Sequence, residues 1–145
     1  MPGIVCIPNA TVDTLLSMKA AGAITADTAD SNIIDTGSGP GQVLEGVYII
    51  DITAIDIASN DETYTLHLQG SNSASFASGN VVLAATVVGK GSSIVTNGAD
   101  QQTGRIVLPF RNDKLGTVYR YLRAYTDVAG TTPSIDYTSR ISYLK

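Results

Sequence analysis

The alternation of apolar and polar residues from Asn32 to the end of the chain is the feature that most constrains the fold. Runs rich in Ile, Val, Thr and Tyr with a period of two are separated by clusters of Gly, Asn, Asp, Ser and Pro, as is typical of β-strands joined by turns. The pattern predicts eight strands, over residues 32–36, 46–57, 63–70, 81–87, 92–96, 104–110, 118–126 and 134–143. Eight strands in one small domain predict an all-β fold, a two-sheet jelly-roll sandwich.

The length of 145 residues fits one compact domain with a single core. We assign residues 31–145 to the jelly-roll β-sandwich domain and residues 1–30 to an N-terminal arm. Hydrophobic residues make up 43% of the chain and charged residues only 15%. A surface poor in charge is often one that another protein covers, so this composition favours a protein that works in an assembly.

The N-terminal arm has a pattern of its own. Residues 4–7 form a short apolar run, and between Thr11 and Gly22 apolar residues recur at helical spacing, which predicts one short helix. Such a helix is marginal alone and must pack on its own domain or on another chain. We expect the large aliphatic residues of the arm to form a contact with another protein: Ile4, Val5, Ile7, Val12, Leu15 and Leu16.

The strand predicted over residues 118–126 carries a second candidate interface. One face of it presents Tyr119, Tyr121, Arg123 and Tyr125. Tyr and Arg are enriched in protein interfaces, because a rigid ring and a forked cation supply contact area and hydrogen bonds together. This face is therefore a predicted contact between copies of the chain. The alternative is that the tyrosines fill the sandwich core and that the opposite face, with Leu122, looks outward.

Residues that could carry catalysis or bind a metal are few. His67 is the only histidine, and its place on the polar face of a predicted strand favours an exposed residue over a general base. The lone Cys6 has no partner for a disulfide. Acidic clusters within residues 27–35 and 60–62 lack the spacing of a calcium loop. We therefore predict no enzyme activity, no catalytic residue, no metal and no cofactor.

Charge and hydropathy limit the partners. The net charge of −4 disfavours nucleic acid, because affinity for phosphates comes mainly from Lys and Arg. No apolar stretch approaches the ~20 residues of a membrane span, so we expect no membrane partner. No basic segment precedes the first apolar run, and a single cysteine fits synthesis in a reducing cytoplasm.

Several stretches of the chain follow an order and spacing seen in a known family. They are residues 24–28 leading to 32–37, then residues 61–71, 104–110 and 119–123. In these stretches the chain resembles the small jelly-roll cement (decoration) proteins of tailed-phage capsids. The resemblance covers nearly all of residues 24–143 and rests on strand-and-turn patterns.

The resemblance implies a structural virion protein with no reaction to catalyse. Such a protein is made in the cytoplasm of the bacterial host and binds the outer surface of the phage head. There it bridges subunits of the major capsid protein and stabilises the shell, as a homodimer or homotrimer at the symmetry axes of the capsid.

The residues by themselves leave two other functions open. A carbohydrate-binding jelly-roll module, for attachment to glycans or a host surface, would need exposed tyrosines in place of the absent Trp. A small hydrolase or isomerase would need a pocket that joins Asp51, Asp56 or Glu62 to Arg105.

Overall fold

The computed structural model describes residues 16–89 and 103–143 of the chain. Nearly all regular structure in these residues is β, so the fold is an all-β sandwich. The strands are β1 (Ser17–Lys19), β2 (Ala23–Ile24), β3 (Thr28–Ala29), β4 (Ile34–Asp35), β5 (Glu45–Ile55), β6 (Thr63–Ser71), β7 (Val81–Gly89), β8 (Gly104–Arg111), β9 (Asp113–Lys114), β10 (Thr117–Val118), β11 (Tyr121–Ala129) and β12 (Ile135–Tyr143).

Two antiparallel sheets pack together to make the sandwich. Sheet I has the order β1, β12, β5, β8, and the short β2 also pairs with β12. Sheet II has the order β3, β11, β6, β7, and the short β4 also pairs with β11. A separate hairpin consists of β9 and β10. The strands β7 and β8 end their sheets on the same side and touch across the sandwich.

Alternation along each long strand decides which side chains enter the core. On β6, Tyr64, Leu66 and Leu68 are fully buried, whereas Thr65 and His67 point to the other face. The outer face of the central β5 starts apolar, with Val47 and the buried Ile49, and becomes polar at Asp51 and Thr53. The core contains Met18, Ile34, Tyr48, Ile50, Ile52, Tyr64, Leu66, Leu68, Val88, Phe110, Leu122, Ala124, Ile135, Tyr137 and Ile141.

The helix predicted between Thr11 and Gly22 is wrong where the structure describes it. Ser17–Lys19 is the strand β1, which pairs with β12, and residues 11–15 lie outside the described residues. A short helix has little stability of its own, whereas the edge of β12 offers a ladder of backbone hydrogen bonds. Strand pairing also carries Met18 into the core, where it is fully buried.

One buried lysine fastens the N-terminal segment to sheet I. The Nζ of Lys19 donates to the carbonyl oxygens of Tyr137 at 2.8 Å, Ala20 at 2.9 Å and Gly22 at 3.0 Å. The same Nζ lies 4.6 Å from the centre of the Tyr137 ring. Because β2 and β3 also pair with sandwich strands, the predicted boundary at residue 30 does not separate two structural units among the described residues.

The strand predicted over residues 118–126 is interrupted in the structure. β10 pairs with β9, and β11 begins only at Tyr121. Between them, the Tyr119 N–H donates to the Asn112 carbonyl at 2.7 Å and the Arg120 N–H donates to the Asn72 Oδ1 at 3.0 Å. These two hydrogen bonds take the place of strand pairing at Tyr119 and Arg120. The other predicted strands overlap observed ones, except residues 92–96, which lie outside the described residues.

Candidate protein-binding surface

The outer face of sheet II carries a row of aromatic and basic side chains along β11. Tyr121, Arg123 and Tyr125 are half-buried on this face, while Leu122 and Ala124 on the opposite face are buried in the core. The strand therefore points its tyrosines outward, which decides between the two orientations that the sequence leaves open. We call Tyr121, Arg123 and Tyr125 the β11 row.

Arg123 at the centre of the β11 row is held by two neighbours. Its Nε donates to the Oε1 of Gln69, the residue opposite it on β6, at 2.9 Å. Its guanidinium lies 4.3 Å from the centre of the Phe76 ring, which the loop between β6 and β7 folds over this face. Partial burial lowers the pKa of Arg123, which nevertheless stays a cation. The cation is thus fixed in position before any partner arrives.

A bidentate ion pair orders the Tyr121 end of the row. The Nε and Nη2 of Arg120 donate to the two carboxylate oxygens of Asp35 at 2.6 Å and 2.9 Å. The hydrogen bond from Arg120 is the main cause that lowers the pKa of Asp35, and the Gly37 N–H contributes. The Arg120 guanidinium also lies 5.4 Å from the centre of the Tyr121 ring. The Tyr121 ring is therefore flanked by an ordered cation.

His67 lies at the other end of the row, beside Tyr125. The two rings meet edge to face, with centroids 5.8 Å apart and planes at 71°. Neither ring nitrogen is exposed to solvent, and neither finds a hydrogen-bond partner among the described residues. Burial lowers the pKa of His67, and the Asp127 carboxylate opposes this effect. His67 lies on the outer face of β6, as predicted, and it is half-buried there rather than fully exposed.

Tyr119 does not belong to the β11 row, so the predicted face of four residues is wrong at this position. A Cβ placed on Gly70 would lie 3.0 Å from the Cβ of Tyr119. Gly70 shares its face of β6 with the buried Leu66 and Leu68, so Tyr119 lies toward the core side of sheet II. The interruption before β11 places the Tyr119 side chain on the face opposite to that of the β11 row.

The residues predicted in the arm divide into two groups. Leu16 is half-buried and packs against the core of its own domain. The others, Ile4, Val5, Ile7, Val12 and Leu15, lie outside the described residues. Sequence reasoning also missed Gln69 and Phe76, because only the register between β6 and β11 and the fold of a loop bring them to Arg123.

Acidic residues of the two predicted clusters accept hydrogen bonds from the fold. Asp27 Oδ1 accepts the Val128 N–H at 2.8 Å, and Asp61 accepts the N–H and hydroxyl of Thr131 at 2.9 Å and 2.8 Å. Within residues 16–89 and 103–143 no group of three or more His, Cys, Asp or Glu side chains is placed to hold a metal ion.

The comparisons with known proteins do not assign a family. No protein-family model matches the chain, and no curated protein matches it. None of the helical structure in the described part of the chain is long and apolar enough to cross a membrane.

Proposed function

We propose that the chain is a capsid cement (decoration) protein, a structural virion protein that binds the outside of a phage head and bridges subunits of the major capsid protein. The observation that carries the proposal is the β11 row, an outward-facing line of tyrosines and arginine on a rigid sheet. Such a surface suits a stable contact with another protein better than it suits a reaction.

The strand order supports a jelly roll, the fold that the resemblance implies. If β1 with β2 counts as one interrupted strand, and β3 with β4 as another, the sandwich has eight strands apart from the β9–β10 hairpin. One sheet then holds the first, eighth, third and sixth strands, and the other holds the second, seventh, fourth and fifth. This alternation between sheets supports the proposed jelly-roll topology.

The side chains of the β11 row are already held in place before a partner binds, which favours binding. A flexible arginine or tyrosine loses rotamer freedom when it binds, at a cost of about 0.5–1.5 kcal/mol for each side chain. Here Gln69 and Phe76 already hold Arg123, and His67 already packs on Tyr125. Binding therefore keeps more of the contact energy, as in interface hot spots.

The proposal names two partners and a place. The first partner is the major capsid protein on the outer surface of the capsid, and we assign the β11 row to it rather than to the contact between copies that the sequence predicts. The second is the chain itself, as a homodimer or homotrimer at the capsid symmetry axes. The aliphatic residues predicted in the arm, Ile4, Val5, Ile7, Val12 and Leu15, stay a predicted additional contact with a neighbour. No enzyme activity, nucleic acid or membrane is part of the proposal.

Co-sedimentation with shells tests the proposed contact. The purified chain is mixed with undecorated shells assembled from the major capsid protein encoded in the same genome, and bound protein is measured after pelleting. Replacing Tyr121 and Tyr125 together by Ala is expected to weaken binding by about tenfold or more, because interface tyrosines are frequent hot spots.

Val107→Ala supplies the matched control, since Val107 is exposed on the outer face of sheet I. It is expected to bind as the wild type does. Wild-type protein that fails to pellet with shells contradicts the proposal, and binding to a glycan array in its place favours the carbohydrate-binding alternative. Loss of binding in Val107→Ala alone would move the contact to sheet I.

A further inference from the structure

A leucine stands fully in solvent at the tip of the β9–β10 hairpin. Leu115 is 98% exposed, the highest value among the exposed large hydrophobic residues of the described chain. It forms the two-residue turn with Gly116, and the φ angles of these residues are 50° and 83°. Two positive φ angles in a two-residue hairpin turn are the type I′ pattern.

Turn chemistry does not explain this leucine. Type I′ turns favour Asn or Asp followed by Gly, because a residue with a branched apolar side chain is strained at positive φ. Leu115 therefore lacks both a backbone reason and a burial reason to be apolar. A single exposed leucine is ordinary by itself, but one held at a strained φ points to a role outside the packing of its own chain.

The hairpin that carries Leu115 is fixed to the end of the sandwich. Asn112 is fully buried, and its Oδ1 accepts the Leu44 N–H at 2.7 Å while its Nδ2 donates to the Tyr119 carbonyl at 3.2 Å. Lys114, next to the tip, donates from Nζ to the Val82 carbonyl on β7 at 3.1 Å. Leu115 is thus presented on a rigid support.

An open cleft of about 470 Å³ lies beside this hairpin, between the edge strands β7 and β8. Leu83, Pro109 and Phe110 supply its apolar surface, and Glu45, Arg111 and Asp113 supply its charged rim. Arg111 pairs with both carboxylates, at 2.9 Å to Asp113 and 3.6 Å to Glu45. Lys114, next to Asp113 and bonded to Val82, brings a second cation to this edge, so the two carboxylates are balanced. Leu115 does not fill the cleft of its own chain, because it is exposed.

We infer that Leu115 of one copy inserts into the β7–β8 cleft of a second copy. The cleft has room for a leucine side chain against Leu83 and Phe110, and the same surface carries both the projecting leucine and the cleft, which makes it self-complementary. Because hairpin and cleft lie side by side on one surface, two copies can exchange them reciprocally, or several copies can close a ring. This inference rests on the self-association in the proposed function and gives it a contact.

Sedimentation of the full-length chain over a concentration series tests the role of Leu115. Leu115→Asn is expected to weaken self-association by at least about tenfold, the loss that corresponds to removing one buried leucine contact. The variant should keep or raise the thermal midpoint, because Asn accepts positive φ more readily than Leu. Leu115→Met is the matched control, and it should associate as the wild type does because it keeps the apolar contact.

Disulfide trapping tests where the leucine goes. In a Cys6→Ser background, which removes the only native cysteine, a Leu115→Cys variant is mixed with a Glu45→Cys variant of different mass and oxidised. The mixed disulfide is expected to form. A Thr53→Cys variant replaces Glu45→Cys as control, since Thr53 is exposed near the opposite end of the same strand, and it should form far less.

Three results would overturn the inference: a monomer at every concentration, unchanged association in Leu115→Asn, or equal trapping with Thr53→Cys. Each of these results can be distinguished from the result of the shell-binding experiment. A strict monomer that still pellets with shells overturns the hairpin contact and leaves the proposed shell binding standing. An oligomer that depends on Leu115 but ignores shells supports the hairpin contact and contradicts the shell binding.

Discussion

At the scale of single residues, the buried Lys19 and Glu62 and the half-buried His67 show how differently the fold treats polar side chains. Lys19 bonds three carbonyl oxygens, and burial still lowers its pKa despite the opposing charge of Asp136. Burial acts to raise the pKa of Glu62, but the N–H groups of Ser59 and of its own loop outweigh it, so the pKa falls. His67 alone among the three has no hydrogen bond within the described residues.

This difference predicts a pH effect at His67. Its pKa in the folded state lies below the ordinary value of 6.5, so the unfolded chain binds the proton more readily. Stability is therefore retained above that value and lost as pH falls through the window between the ordinary and the folded pKa. His67→Phe, which keeps the ring beside Tyr125 and cannot titrate, should raise the urea midpoint more at about pH 5 than at about pH 8.

Urea unfolding of both proteins at the two pH values checks this prediction, and groups shared by both proteins cancel in the comparison. Asp35, Asp51 and Asp61 have pKa values lowered below the ordinary 3.8, so they stay ionised throughout. An equal gain at both pH values would show that burial does not shift the pKa of His67.

At the scale of elements, β1 is short but belongs to the core of the sandwich. It lies at the end of sheet I and pairs with β12 through only two register positions, with an irregularity between them. Its side chains attach β1 to the sandwich. Met18 is fully buried, and the Nζ of Lys19 donates a hydrogen bond to the carbonyl of Tyr137. Truncation through residue 23 would remove both, so it is expected to destabilise the sandwich rather than to free an independent domain.

Met18→Ala tests the contribution of β1 without truncation. Removing a fully buried methionine is expected to lower the free energy of unfolding by about 2–5 kcal/mol, through lost burial and the cavity that remains. Val107→Ala, at an exposed strand position, should cost under about 1 kcal/mol. Chemical denaturation measures both. Equal small losses would mean that β1 contributes little to the stability of the sandwich.

At the scale of the whole molecule, a pair of buried hydroxyls joins the two sheets. The Tyr137 hydroxyl on β12 and the Thr126 hydroxyl on β11 lie 2.6 Å apart in the core. Nearby, the Tyr48 hydroxyl donates to the Ser139 Oγ at 3.0 Å within sheet I. Burial raises the pKa of Tyr137 to about 12, so its proton stays in place at neutral pH. The two sheets are thus held against each other by a polar contact as well as by apolar packing.

A double-mutant cycle measures this contact between the sheets. Tyr137→Phe and Thr126→Val should each lower the free energy of unfolding by about 1–3 kcal/mol, because each leaves the other hydroxyl buried without this partner. The double variant should lose less than the sum of the two, since no unpaired hydroxyl remains. Additive losses in urea unfolding would show that the two hydroxyls act independently.

The sequence by itself determined the all-β class and the position of most strands. A period of two is a local property that survives in any sheet, so the strands around residues 46–57, 63–70 and 134–143 could be predicted without knowing their neighbours. The turn signals between them are equally local. The same reasoning failed for β1, because its helical spacing was outweighed by a partner strand more than a hundred residues away.

Only the tertiary structure decided which face of β11 looks outward. Both faces of that strand carry large side chains, so alternation defined two faces and could not choose between them. The choice follows from Leu122 and Ala124 packing against sheet I, and the order of the outward face follows from the register with β6 and from Phe76 in a loop. The exposure of Leu115 was likewise decided by the fold, because a turn residue shows its burial only when the rest of the chain surrounds it or leaves it free.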